Sequence, residues 1–111
     1  MAVQSTKCAP LYEAFYGLPE AKKELTVAED IRIEKPFRQN EIIQALRNSQ
    51  GDVIAVDDQE ILDAKSLLGH RGIYVAPSSA AALAGALHAF RHGKPYNYRV
   101  VIPLTGTGLK V

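Results

Sequence analysis

The stretch "VIAVDDQEILDAKSLLG" at residues 53–69 constrains the fold more than any other in the chain. Val53–Val56 is an unbroken run of four apolar residues, too short for a helix and of the kind buried on both faces of a parallel sheet. It is followed at once by Asp57, an N-cap residue, with Glu60 three places on to complete a capping box. A strand that hands directly into a capped helix is an α/β signature. Gly69 is the expected stop.

The same grammar recurs on both sides. "MAVQS" reads as a short strand, and "APLYEAFYG" as a helix with Pro10 in its first turn, Leu11 and Phe15 on one face and Gly17 as terminator. "TVAEDIRI" pairs Thr26 with Glu29 as a second capping box and predicts one helical turn before Pro36. "QNEIIQALRNSQGD" predicts a helix with an Ile42/Ile43/Leu46 stripe ended by Gly51. "GIYVAP" is a short extended piece. "SSAAALAGALHAFRHG" predicts a helix capped by Ser78 or Ser79, with a Leu83/Leu87/Phe90 stripe and Gly93 at its end. "YRVVIPL", residues 98–104, closes the pattern as a final strand. Pro103 suits only an edge or a strand end. The expected architecture is a small, mainly parallel sheet of about three strands with helices on both faces, over residues 1–111 as one domain.

Composition removes several function classes. The 111 residues are 47% hydrophobic and 23% charged with a formal net charge of +1, as in ordinary globular proteins. No basic tract interleaved with aromatics marks a nucleic-acid partner. The longest apolar run, Ala80–Leu87, is far short of a membrane span. The N-terminus lacks the layout of a signal peptide, so the expected location is the cytoplasm. Cys8 is the single cysteine, which excludes an internal disulfide and predicts an apolar packing residue.

Few residues offer chemistry by spacing alone. His88 and His92 are four apart, but no carboxylate stands between them in the helical metal-motif position and no third ligand is evident, so no metal site is expected. They read as surface histidines near a helix C-terminus, and His70 as a loop residue. Asp57, Asp58, Glu60 and Asp63 read as a solvated first turn. "TGTG" at Thr105–Gly108 is no phosphate loop, because it does not lead into a helix and lacks the lysine. Its place counts for more. It follows an expected strand, and ligands of open α/β sheets bind beyond the carboxyl ends of strands.

Five stretches in order resemble the threonine synthases, pyridoxal-phosphate enzymes of fold type II: "VQSTKCAPLYEAF", "TVAEDIRIEKP", "VDDQEILDAKSLL", "GIYVAPSSAAALAGAL" and the closing "LTGTGLK". The resemblance implies part of the tryptophan synthase beta-like large domain, and specifically the C-terminal third of such an enzyme. The family converts O-phosphohomoserine and water to threonine and phosphate. By the resemblance, Thr105 holds the place of the threonine that hydrogen-bonds the cofactor's pyridine nitrogen, Gly106 and Gly108 let the backbone pass the ring, and Ser79 occupies the family's serine. Ala76 stands where the family usually has glutamate, and "IEKP" replaces Gly-Asn-Pro. The lysine that binds the cofactor, the ring-flanking asparagine and the phosphate-cradling glycine loop lie upstream in the family. The chain alone is therefore expected to be inactive, to supply no catalytic residue and to bind no pyridoxal phosphate covalently. The alternatives are half of a split enzyme completed by a separate N-terminal portion, a non-catalytic binding or assembly module, and a sister activity such as threonine dehydratase. An open sheet edge further predicts a homo-oligomer.

Overall fold

The computed structural model describes residues 1–93 and 99–109. Its elements are β1 (Ala2–Ser5), α1 (Pro10–Tyr16), a 3-10 turn (Glu29–Ile31), α2 (Gln39–Asn48), β2 (Val53–Val56), α3 (Asp58–His70) and α4 (Pro77–Arg91). The sheet is parallel, β1 beside β2, in register from Ala2 opposite Val53 to Ser5 opposite Val56. A parallel pair needs a long crossover, which α1, the 3-10 turn and α2 supply.

The period of two along β2 divides the core. Val53 packs with Leu11 and Leu46 beneath α1 and α2. Ile54 and Val56 face the other way, into Ile61, Ala64, Val75 and the alanines of α4. Helices thus cover both faces, as expected. Among the described residues the third strand does not form. Residues 99–104 pair with no neighbour as a strand, and Val101 is 87% exposed; Tyr98 lies outside the described residues. Apolar character is not enough for a strand, which exists only by pairing, and Pro103 removes one ladder donor.

Helix α3 begins as expected. Asp57 Oδ1 accepts the Glu60 N–H at 2.8 Å, and Glu60 Oε1 accepts the Asp57 N–H at 3.1 Å. It runs through Gly69, however, and ends at His70, which is a helical residue rather than a loop one. The left-handed turn that follows belongs to Gly72, φ +79°. Gly17 terminates α1 in the left-handed region as predicted. After α2 the left-handed position falls to Gln50, φ +56°, rather than to Gly51.

Two further expectations yield to tertiary contacts. Helix α4 is capped at Ala76 by no side chain, because both candidate serines are engaged elsewhere: Ser78 Oγ accepts the Asp30 N–H at 3.1 Å, and Ser79 bonds Gly106. Its buried face is Ala80, Ala81, Ala84, Gly85 and Ala89, while Phe90 of the expected stripe is 71% exposed. The reason is distance. A Cβ at Gly85 would lie 2.3 Å from Val3 Cγ2, so α4 approaches β1 more closely than large side chains permit.

Candidate functional site

The closing loop does not hang free. It doubles back antiparallel onto the extended piece ahead of α4, where Val75 and Thr107 form a bridge. Gly106 O accepts the Ala76 N–H at 3.0 Å, and the Gly108 N–H reaches Tyr74 O at 3.1 Å. Ser79 completes the clamp: its Oγ accepts the Gly106 N–H at 2.7 Å and donates to Gly106 O at 3.3 Å. Ser79 is 3% exposed, so this buried hydroxyl is satisfied by the loop it holds.

Both glycines of the loop lie close to other groups of the chain itself, Gly108 more closely than Gly106. A Cβ at Gly108 would lie 2.8 Å from the Tyr74 ring, and one at Gly106 would lie 3.2 Å from Ser79 Oγ. Thr105, just ahead, is exposed. Lys110, the last residue of the closing motif, lies outside the described residues.

A cleft of about 600 Å³ opens between the 3-10 turn (Asp30, Ile31), the start of α4 (Ser78, Ser79) and the loop (Thr105, Gly106, Thr107, Leu109). Thr105, Gly106 and Ser79, far apart in sequence, meet here. Another cleft of similar size, about 620 Å³, lies between α1 and the segment entering α2. It is lined by opposed charges, among them Glu13, Lys35 and Arg38, and by none of the candidate site residues.

The wall formed by the 3-10 turn is held from two sides. On one, Ser78 binds the Asp30 N–H. On the other, Thr26 Oγ1 donates to Asp58 Oδ1 at 2.5 Å and accepts from Ser5 Oγ at 3.0 Å, while Lys7 Nζ reaches Asp58 Oδ2 at 3.1 Å. Thr26 caps no helix: its hydroxyl donates to Asp58 and accepts locally only from the Ala28 N–H, at 3.4 Å, ahead of the 3-10 turn. Asp58 is not part of a solvated turn either; its side chain is only 21% exposed. Burial pushes its pKa up, but hydrogen bonds from Thr26, Lys7 and the Val27 N–H, with the Lys7 charge, outweigh that and hold it below the ordinary carboxylate value. Nothing in the local spacing of Thr26 or Asp58 marks this network, because it joins groups 21 to 51 residues apart. Cys8 is buried, and desolvation raises its thiol pKa, which suits packing and not nucleophilic attack.

The family model for the pyridoxal-phosphate dependent enzymes matches residues 1–106. The chain belongs to that family. Threonine synthase from Mycobacterium tuberculosis (strain ATCC 25618 / H37Rv) is 37% identical over 112 residues, covering 99% of this chain and 30% of that protein. Threonine synthase from Methanocaldococcus jannaschii is 34% identical over 119 residues, covering 97% and 28%. In structure, the chain is similar to a crystallised T.th. threonine deaminase, with a TM-score of 0.65 at 21% identity, over 98% of this chain and 39% of that one. This likeness shows the fold, that of the fold type II pyridoxal-phosphate enzymes. The chain spans about 30% of the length of the threonine synthases it matches.

Tested against pyridoxal phosphate, the cleft fits one edge of the group. An exposed hydroxyl at Thr105, on a loop fixed by Ser79, is the donor type that a pyridine nitrogen accepts. Among the described residues lining the cleft there is no lysine or arginine to meet the aldehyde or the phosphate.

Proposed function

We propose that this chain supplies the pyridine-side wall of the cofactor pocket in a threonine synthase-like enzyme, which we place in the cytoplasm. In it Thr105 would orient the ring, Gly106 would carry that threonine, and Ser79 would hold Gly106. The observation that carries the reading is the Ser79–Gly106 clamp, which fixes the loop of the "LTGTG" motif at the mouth of the cleft. The named relatives favour the synthase reaction, O-phosphohomoserine and water to threonine and phosphate, over the deaminase suggested by fold alone. When bound, the cofactor supplies an electron sink for bond-breaking beside the amino-bearing carbon. A threonine hydroxyl can donate to the unprotonated ring nitrogen but does not protonate it as an acid would, so Thr105 sets how strong that sink is.

We further propose that these 111 residues do not catalyse the reaction by themselves, and that the covalent lysine and the phosphate cradle come from a separate portion of the enzyme. The cleft's composition and the partial span of the relatives support this. The test is incubation of the 111-residue chain with pyridoxal phosphate, borohydride reduction and peptide mapping, alongside phosphate release from O-phosphohomoserine. Scattered, substoichiometric labelling of surface amines with no phosphate release is expected. Stoichiometric labelling of one lysine with turnover would refute it. The exposed Val101, Leu109 and Met1, with sheet edges that pair with no further strand among the described residues, also support self-association where that portion is lacking.

A further inference from the structure

Ser79 holds the closing loop at Gly106, and the far end of the same loop rests on Tyr74, in the extended piece ahead of α4. Tyr74 O accepts the Gly108 N–H at 3.1 Å. The side chain of Tyr74 meets the same glycine. A Cβ built on Gly108 would stand 2.9, 2.8 and 2.8 Å from Tyr74 Cγ, Cδ1 and Cε1. Nearly equal distances to consecutive ring atoms place that point close to the ring axis, over the face and not at the edge. Glycine carries a hydrogen in that direction, so a Gly108 Cα–H bond is aimed at the electron-rich face of the phenol ring. Lys65 Nζ, from α3, stands over the same ring, 4.7 Å from its centroid. Tyr74 is 57% exposed, so packing in the core does not account for an aromatic side chain at this place.

We propose that Tyr74 is a positioning residue of the cofactor site: its ring is the platform that seats the closing loop at Gly108, and through that seat it fixes where Thr105 stands. The inference rests on the reading of Thr105 as the hydroxyl that orients the cofactor ring. Thr105 is exposed, so its place is set through the loop that carries it. That loop is held residue by residue along the extended piece. Gly106 bonds Ala76 and Ser79, Thr107 bridges to Val75, and Gly108 lies on Tyr74. A group that serves a reacting ring must be held within about 0.5 Å of its working position, by neighbours that are themselves fixed. Ser79 alone secures one point of the loop and leaves it free to pivot; the Tyr74 platform secures a second, two residues on. Glycine is what lets the seat form, because a side chain at position 108 would enter the ring.

The experiment has two arms. In the isotope-labelled 111-residue chain, NMR reads the Gly108 Hα shifts and the exchange of the Gly108 amide. One Gly108 Hα should lie well upfield of its geminal partner, shielded by the ring beneath it. Tyr74→Phe should keep that shift. Tyr74→Leu, which keeps apolar bulk without a ring, should abolish it and speed amide exchange by about threefold or more. Tyr74 is exposed, so neither change disturbs the core, and circular dichroism verifies this. The second arm is turnover of O-phosphohomoserine by the matched segment grafted into a threonine synthase relative. There Tyr74→Leu should lower kcat by about threefold with KM unchanged, and Tyr74→Phe should restore it. In a Thr105→Val background Tyr74→Leu should have no further effect, because it acts through that hydroxyl. Unshifted Gly108 protons in the parent chain overturn the platform, and an equal loss in both backgrounds overturns its action through Thr105. Unchanged turnover in Thr105→Val alone would overturn the cofactor reading, and with it any part for Tyr74 in the reaction, whatever the Gly108 protons show.

Discussion

Gly85→Ala should destabilise the chain, although alanine is the better helix former. On an exposed helix the substitution would gain about 1 kcal/mol. In α4 the new Cβ would stand 2.3 Å from Val3 Cγ2, 2.9 Å from Cγ1 and 3.2 Å from Cβ. Ordinary carbon contacts lie near roughly 3.5–4.0 Å. Rotating Val3 about χ1 moves both methyls but not its Cβ, so no rotamer clears the space and α4 must lift from β1. Overpacking of this kind costs roughly 1–3 kcal/mol. Net of propensity, we expect a loss of about 1 kcal/mol, up to about 2. Val3→Ala alone should cost about 1 kcal/mol for its half-buried methyls. Combined, the changes should be less damaging than their sum by about 1 kcal/mol or more, because Val3→Ala removes the two closest atoms. Urea unfolding followed by circular dichroism measures all four forms, at one protein concentration. With slopes of about 1–3 kcal/mol/M, the Gly85→Ala midpoint should fall by roughly 0.3–2 M. A Gly85→Ala chain at least as stable as the parent, or strict additivity, would refute the close approach of α4 to β1.

Asp58→Asn should lower stability by about 2 kcal/mol at about pH 7, the scale of losing hydrogen bonds to a charge. Because the folded pKa lies below the unfolded one, the carboxylate's contribution is full above the ordinary carboxylate range and fades as pH falls through the depressed value. The gap between parent and variant should therefore close below about pH 4, and a gap constant with pH would contradict the network. Thr105→Val, made in the matched segment grafted into a threonine synthase relative, should slow turnover by about fivefold (about 1 kcal/mol) without changing the melting temperature, since Thr105 is exposed. Unchanged turnover would remove Thr105 from the site. Sedimentation should give a mass above the 12.1 kDa of one chain; a single-chain mass held at high concentration would reject self-association.

Local chemistry made much of this protein legible before any tertiary structure. Val53–Val56 could be read as a strand because four apolar residues end at an N-cap, and pairing with β1 makes it one. Helix α3 starts at Asp58 because Asp57 and Glu60 satisfy one another's N–H groups, and Gly17 stops α1 because glycine adopts the left-handed region without cost. The closing "LTGTG" could be placed by its resemblance to threonine synthases, and the family match bears that resemblance out. Only the tertiary structure decided where the hydroxyls went. Thr26, Ser78 and Ser79 each stand where a local cap was possible, yet each bonds a group 27 to 48 residues away, because folding brings a carboxylate or a distant backbone N–H to the hydroxyl. Packing likewise buried the alanine face of α4 most deeply and left Leu83 and Leu87 half-buried, since the distance from α4 to β1 is a property of the sheet and not of the helix. Among the described residues the third strand does not form either. Residues 99–104 have the composition of a strand, but a strand is made by its neighbour.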